Sequence, residues 1–219
     1  MRQHLLVEGQ NDLHVILNLW NILGLKPVKD YNKDKFAILA NGKDNLPLKI
    51  AELLASSDIE NIGIVLDADR SAQSTWQSIC SELAHHGFEN LPKQPLKEGF
   101  VIKKAGFPTI GIWIMPDNQA PFEKNDVAYL EHFYATLVKI DDKFLIKAKH
   151  IIEDIVTDTE RRFPLKDKQK AIIHTWLAWQ EEPGSAMGHT LKNRNLFDLE
   201  NELAIIFKKW LEETFELKK

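Results

Sequence analysis

The stretch Ile62-Gly63-Ile64-Val65-Leu66-Asp67-Ala68-Asp69 decides how this chain reads, because a near-continuous apolar run stops there on a pair of acids. Parallel strands are covered by helices on both faces and read as unbroken hydrophobic runs, whereas a strand with one wet face alternates. Three further runs have the same character. His4 to Val7 leads into Glu8-Gly9, Phe36 to Ala40 into Asn41-Gly42, and Ile110 to Met115 into Pro116-Asp117-Asn118. Between them, Asp12 to Leu23 places Leu13, Ile16, Leu17 and Trp20 on one helical stripe, and Asn45 to Ala55 and Ser71 to His85 follow the same period. Short apolar runs alternating with amphipathic helices are the pattern of an α/β, Rossmann-like fold: a mostly parallel sheet flanked by helices. The proline- and glycine-dense stretch from Lys93 to Pro108 predicts an irregular excursion, with a short strand at Phe100 to Lys103.

After about Leu137 the pattern changes. Lys143 to Val156, Leu165 to Gln180 and Leu196 to Phe215 all have helical period, broken at Pro164 and at Glu182-Pro183-Gly184-Ser185. The organisation predicted is an α/β domain over residues 1–138 and a helical C-terminal extension over residues 139–219 packed on it. Trp176, Trp179 and Trp210 fall at helical spacing among apolar neighbours, which reads as core packing ahead of a ligand-stacking set.

Composition narrows the function classes. At 219 residues the chain is long enough to bury a proper core, and a formal net charge of −4 argues against coating nucleic acid by bulk charge. A local basic groove stays open. The single cysteine, Cys80, excludes an intramolecular disulfide and a multi-cysteine zinc site, and suits a reducing cytoplasm. Apolar stretches fall well short of the ~20 residues needed to span a bilayer. The start, Met1-Arg2-Gln3-His4, lacks the pattern of a signal peptide. The expectation is a cytoplasmic protein with no membrane span.

In an open parallel sheet the functional crevice lies beyond the carboxyl ends of the strands, so strand-ending residues carry most information. Here they are acidic: Glu8, Asp67 with Asp69, and Asp117. In extended chain Asp67 and Asp69 point to the same face, and a neighbouring strand ending at Glu8 would complete an oxygen-rich cluster. Close carboxylates raise one another's pKa unless a cation neutralises them, and oxygen-only ligands favour Mg²⁺ or Mn²⁺ over zinc. Each residue also has a structural explanation. Asp69 before Arg70-Ser71-Ala72 reads equally as a helix N-cap, and Glu8-Gly9 as a turn with Asp12 favouring the first turn of the next helix.

Two of these segments carry a family resemblance. Leu5-Leu6-Val7-Glu8-Gly9-Gln10-Asn11-Asp12 resembles the first Toprim motif, a strand ending in Glu-Gly with an acid shortly after, and Ile64-Val65-Leu66-Asp67-Ala68-Asp69 resembles the second, a strand ending in Asp-x-Asp. Toprim is the fold shared by topoisomerases, bacterial primases, overcoming-lysogenization-defect nucleases, ribonuclease maturases and recombination proteins. The resemblance covers roughly residues 1–138 and implies that Glu8, Asp67 and Asp69 bind Mg²⁺ for phosphodiester cleavage. A closer resemblance is to a small stand-alone Toprim-like bacterial family of unassigned function, through Gly111-Ile112-Trp113-Ile114-Met115-Pro116-Asp117-Asn118, Leu130-Glu131-His132-Phe133 and Trp176-Leu177-Ala178-Trp179-Gln180. It implies that Asp117 and Glu131 add to the acidic cluster or support a second metal ion. A turn at Asp117-Asn118 and a plain helix face at Glu131 are the structural alternatives.

The acid-Gly-acid continuation of the topoisomerase motif is absent, since Arg70-Ser71-Ala72-Gln73 stands there, and no tyrosine nucleophile is signalled. The function implied is a Mg²⁺-dependent phosphodiesterase or nuclease with Glu8, Asp67 and Asp69 as catalytic residues and Lys103, Lys104 or Arg70 as a positive partner for developing charge. The alternative is a non-catalytic Toprim-like module that docks on a partner such as an ATPase or a nucleic-acid complex. A phospho-acceptor receiver is disfavoured, because the acidic pair would follow the first strand. Arg161, Arg162, Lys166, Lys168 and Lys170 are candidates for tracking phosphates, but Asp158, Glu160 and Asp167 interleave with them as on a solvated helix surface.

Overall fold

Apolar runs that bury both faces are accommodated at the centre of a sheet, and the computed structural model puts the runs ending at Val7, Leu66 and Met115 there, with Phe36 to Ala40 at an edge. It describes residues 2–26, 36–120 and 127–217. The strands are β1 (Arg2–Val7), β2 (Ala37–Leu39), β3 (Ile59–Asp67), β4 (Phe100–Ile102) and β5 (Thr109–Met115), in the spatial order β2-β1-β3-β5-β4. All neighbouring pairs are parallel except β4 on β5, which is antiparallel and closes one edge. The fold is therefore the mixed α/β, mostly parallel, Rossmann-like arrangement that the run pattern predicts. The excursion before β5 does carry its short strand, three residues long.

Side-chain alternation explains why each run is apolar throughout. Leu5, Val7, Val65, Trp113 and Met115 face one hydrophobic cluster, while Leu6, Ile64, Leu66, Ile112 and Ile114 face the other. The second cluster is covered by α2 (Leu46–Leu54) and α3 (Ala72–His85). The first is covered by α1 (Gln10–Ile22), by α4 (Leu130–Leu137) and by helices from the C-terminal part of the chain: α5 (Lys143–Thr157), α6 (Lys168–Leu177), the single turn α7 (Met187–Thr190) and α8 (Glu202–Thr214). Among the described residues after 139 there is no strand.

The C-terminal helices share the core of the sheet. Trp113 on β5 meets Phe207 and Trp210 of α8 at ring-centroid distances of 4.9 and 5.7 Å. Trp176 and Trp210 are buried and Trp179 packs against the core edge, so the three tryptophans are packing residues. The approach of α8 needs glycine on the sheet: a Cβ at Gly111 would lie 2.0 Å from Thr214 Oγ1, and one at Gly63 2.6 Å from Phe215 Cζ. Buried amides then fasten the contact. Gln3 Nε2 donates to Asn61 Oδ1 and to the Phe215 carbonyl at 2.6 and 3.1 Å, and Asn61 Nδ2 donates to the Thr214 carbonyl at 2.9 Å. Among the described residues no helix is long and apolar enough to cross a membrane.

Candidate functional site

Parallel pairing aligns the carboxyl ends of the central strands. Val7 is level with Val65, and Asp67 with Met115, so Glu8 and Asp67 emerge at the same end of adjacent strands. Asp67 closes β3, and its Oδ1 accepts a hydrogen bond from Leu130 N at 2.8 Å. That N–H belongs to the first residue of α4, one of the donors a helix leaves unsatisfied at its start, so a strand-end carboxylate caps a helix 63 positions away. Glu131, the next residue of α4, is carried to the same place.

Asp12 enters from α1. Its Oδ2 accepts from Gly9 N at 3.0 Å, folding the carboxylate back over the strand end. Asp12 is 9 % exposed and Glu131 7 % exposed, and the Glu131 carboxylate makes no hydrogen bond or ion pair with another described residue. Glu8 Oε2 is buried without a hydrogen-bond partner. Glu8, Gly9, Gln10, Asn11, Asp12, Gly42 and Asp67 line an open cleft of about 380 Å³.

Four carboxylates in one corner repel. Burial, then the charges of Asp12, Glu8 and Glu131, push Asp67 up to about 8 against the opposing Leu130 N–H. Burial raises Asp12 to about 6, opposed by the Gly9 N–H and reinforced by Glu8 and Glu131. Glu8 is raised as well, chiefly by burial, with Lys43 acting in the opposite direction.

Asp69 sits differently from the strand-alternation expectation. Extended chain ends at Asp67, and Asp69 adopts a left-handed backbone (φ 52°), a conformation that aspartate tolerates better than most residues. Its backbone exchanges two hydrogen bonds with Ala128, Asp69 N to Ala128 O at 3.0 Å and Ala128 N to Asp69 O at 2.8 Å. The side chain turns to Lys43, whose Nζ lies 2.6 Å from Asp69 Oδ2 and donates to the Asp67 carbonyl at 2.8 Å. Asp67 and Asp69 are thus joined through a lysine and do not share a strand face. Nor is Asp69 the cap of α3, because Ser71 Oγ takes that place by accepting from Ser74 N at 3.1 Å.

The remaining candidates separate clearly. Asp117 forms a turn, its Oδ1 accepting from Gln119 N and Ala120 N at 3.0 Å each, and its charge bears on Lys97; the structure does not bring it into the four-carboxylate corner. Lys103 is paired with Glu216 at 2.6 Å, Lys104 donates to the Gly87 carbonyl and lies over Phe107, and Arg70 is exposed. The cation bonded into the corner is Lys43 instead. Its signal in the sequence was its place just after Asn41-Gly42, at the carboxyl end of a parallel strand. Asp12 had the weaker signal of lying one helical turn after Glu8. In the basic stretch of the C-terminal part, Arg161 donates to the Val156 carbonyl at 3.2 Å and Lys168 pairs with Glu153 at 3.5 Å. Lys170 reaches the rim of the acidic corner, 4.2 Å above the Tyr129 ring, and its charge acts on Glu8.

As the side chains stand, no three His, Cys, Asp or Glu among the described residues form a ready metal-binding group. The physical reason is visible: Leu130 N holds Asp67, Gly9 N holds Asp12 and Lys43 holds Asp69. The donor set itself, oxygen-only and with one buried oxygen of Glu8 unsatisfied, fits the chemistry of a hard divalent cation. Comparison with curated proteins gave no match, and comparison with solved structures gave none. Residues 2–216 match the family DUF3226, described as a protein of unknown function, and the chain belongs to that family.

Proposed function

We propose that this chain is a Toprim-type phosphodiesterase that cleaves nucleic acid with the help of Mg²⁺ or Mn²⁺. One observation carries the reading: Glu8, Asp12, Asp67 and Glu131 converge at the carboxyl end of a parallel sheet, with Glu131 buried and without a hydrogen bond or ion pair among the described residues. Asp67 and Asp12 each bond a backbone N–H, but Glu8 Oε2 has no hydrogen-bond partner and the mutual repulsion of the four acids costs stability, so a function that needs negative charge accounts for the cluster better than structure alone does. Glu8, Asp12, Asp67, Asp69 and Glu131 would hold the cation, which would polarise a phosphoryl oxygen and lower the pKa of an attacking water. The protein's own part is positional. Leu130 N orients Asp67, Gly9 N orients Asp12, and the cleft beside Gln10 and Asn11 leaves room for a sugar-phosphate chain. A single cysteine suits the reducing cytoplasm, where such a substrate is found.

The test is cleavage of single- and double-stranded DNA and RNA with Mg²⁺ or Mn²⁺, comparing the native chain with Glu8→Gln and Asp67→Asn. The expected result is cation-dependent cleavage reduced at least about 100-fold in both variants, within the range that loss of transition-state charge stabilisation produces. Cleavage that survives both substitutions would sink the proposal. A second reading, a non-catalytic module working with a partner such as an ATPase, is favoured by the Lys43–Asp69 pair, which already neutralises one acid of the corner. It predicts no cleavage of any substrate by the native chain.

A further inference from the structure

We infer that Lys43 is the resident counter-ion of the acidic corner, that it competes with a divalent cation for Asp69, and that once displaced it binds a phosphate oxygen of the substrate. The inference rests on the proposed cation site and goes beyond it by assigning a residue that neither the strand-end pattern nor the family match marks.

The position of Lys43 is unusual for a surface lysine. It follows Gly42, one of the residues that line the cleft, and begins the short 3-10 turn Lys43–Asn45 between β2 and α2. Its Nζ is held by Asp69 Oδ2 at 2.6 Å, the Asp67 carbonyl at 2.8 Å and Thr75 Oγ1 at 3.4 Å, using all three ammonium donors. All three acceptors belong to the β3–α3 segment, two of them to the Asp-x-Asp stretch itself. The same charge acts on Glu8 across the corner. An ammonium is a compact cation with the charge to neutralise a carboxylate but without the coordination capacity to gather several, which explains why Glu8 Oε2 stays without a hydrogen-bond partner across the corner from it. A divalent cation that recruits Asp69 has to break the pair with Lys43. The pair is partly exposed, with side chains 29 % and 44 % accessible, so that once a cation takes Asp69 the lysine can swing on its four-carbon stem toward the cleft, where a phosphodiester would lie.

The experiment is Mn²⁺ binding to the full chain, read from loss of the free-ion electron paramagnetic resonance signal, with the native protein, Lys43→Met, Lys43→Gln and Lys43→Arg. In parallel, the affinity for a single-stranded 20-nucleotide DNA is measured in Ca²⁺. Lys43→Met and Lys43→Gln should bind Mn²⁺ about 1.5- to 5-fold more tightly, the fold-change of losing a partly exposed competing pair, and should bind the DNA at least about 10-fold more weakly. Lys43→Arg should stay near the native values for DNA. Two uncharged variants guard against one that fails to fold. Mn²⁺ affinity that is unchanged or lower in the uncharged variants would overturn the inference while leaving the cation site standing. Tighter Mn²⁺ binding with unaltered DNA affinity would overturn the transfer to phosphate. Absence of Mn²⁺ binding in every protein would remove the cation site, and this inference with it.

Discussion

The substitution Asp67→Asn tests the electrostatics of the corner in isolation. Asparagine is nearly isosteric, and its Oδ1 can still accept from Leu130 N, so the helix contact is kept while the charge is removed. Asp67 is held at about 8 in the fold against 3.8 for the free side chain. A raised carboxylate contributes stability that is present below about pH 4 and is lost as pH rises through about 8, because the unfolded chain releases its proton first. With about 1.36 kcal/mol per pKa unit, the native protein should lose on the order of 5 kcal/mol from this group between pH 4 and pH 8 in the presence of a chelator. Asp67→Asn should escape that loss. At an unfolding entropy of about 2.1 cal/mol/K per residue over 219 residues, the variant should melt near the native temperature at pH 4 and about 10 °C higher at pH 8. Adding Mg²⁺ at pH 8 should close roughly half of that gap, since a ligand at about 100 times its Kd adds about 2.7 kcal/mol to a protein that binds it, and the variant should gain little. The assay is urea or thermal unfolding followed by tryptophan fluorescence across pH 4–8, with EDTA or Mg²⁺. Parallel pH profiles for the two proteins in EDTA would refute the crowding of charge around Asp67, and equal Mg²⁺ stabilisation of both would refute its part in holding the cation.

Two further outcomes test the placement of residues. Gly111→Ala drives a methyl into Thr214 Oγ1 at the sheet–helix contact, so α8 must shift, and unfolding free energy should fall by about 1–3 kcal/mol; an unchanged urea midpoint would mean that α8 does not press on β5 as described. Asp117→Ala should cost about 1 kcal/mol of stability through its two turn hydrogen bonds and leave Mn²⁺ affinity unaltered, whereas a weakened affinity would return Asp117 to the site.

Much of the fold was legible because the information is local. The run from Ile62 to Leu66 carries no polar side chain since Ile62, Ile64 and Leu66 enter one cluster and Val65 the other, and that property can be read from five consecutive residues. The same holds for the predicted runs that became β1 and β5. Edges were less legible. Phe36 to Ala40 contracted to three paired residues, because an edge strand pairs on one side only and its run says little about where pairing stops. Around the corner, Glu8 and Asp67 were found as strand-ending acids. Asp69 was misread in its geometry because the residue after Ala68 leaves the extended conformation to pair with Ala128, a segment distant in sequence. Asp12 was assigned only a helix-start role, and Lys43 was passed over. Asp117 had the same strand-end signature as Asp67, yet its carboxylate is taken by the amides of its own turn.

The sequence by itself determined which residues lie in strands, which lie in helices and which acids follow a strand end, because these depend on periodicity over a few neighbours. Only the tertiary structure decided which of those ends meet. The order β2-β1-β3-β5-β4 places the ends of β1 and β3 side by side and β2 next to them, so Glu8, Lys43 and Asp67 come together from three separate parts of the chain, while α4 returns from beyond residue 127 to add Glu131. Strand order is a non-local choice, set by which faces the helices can cover, and no window of consecutive residues contains it.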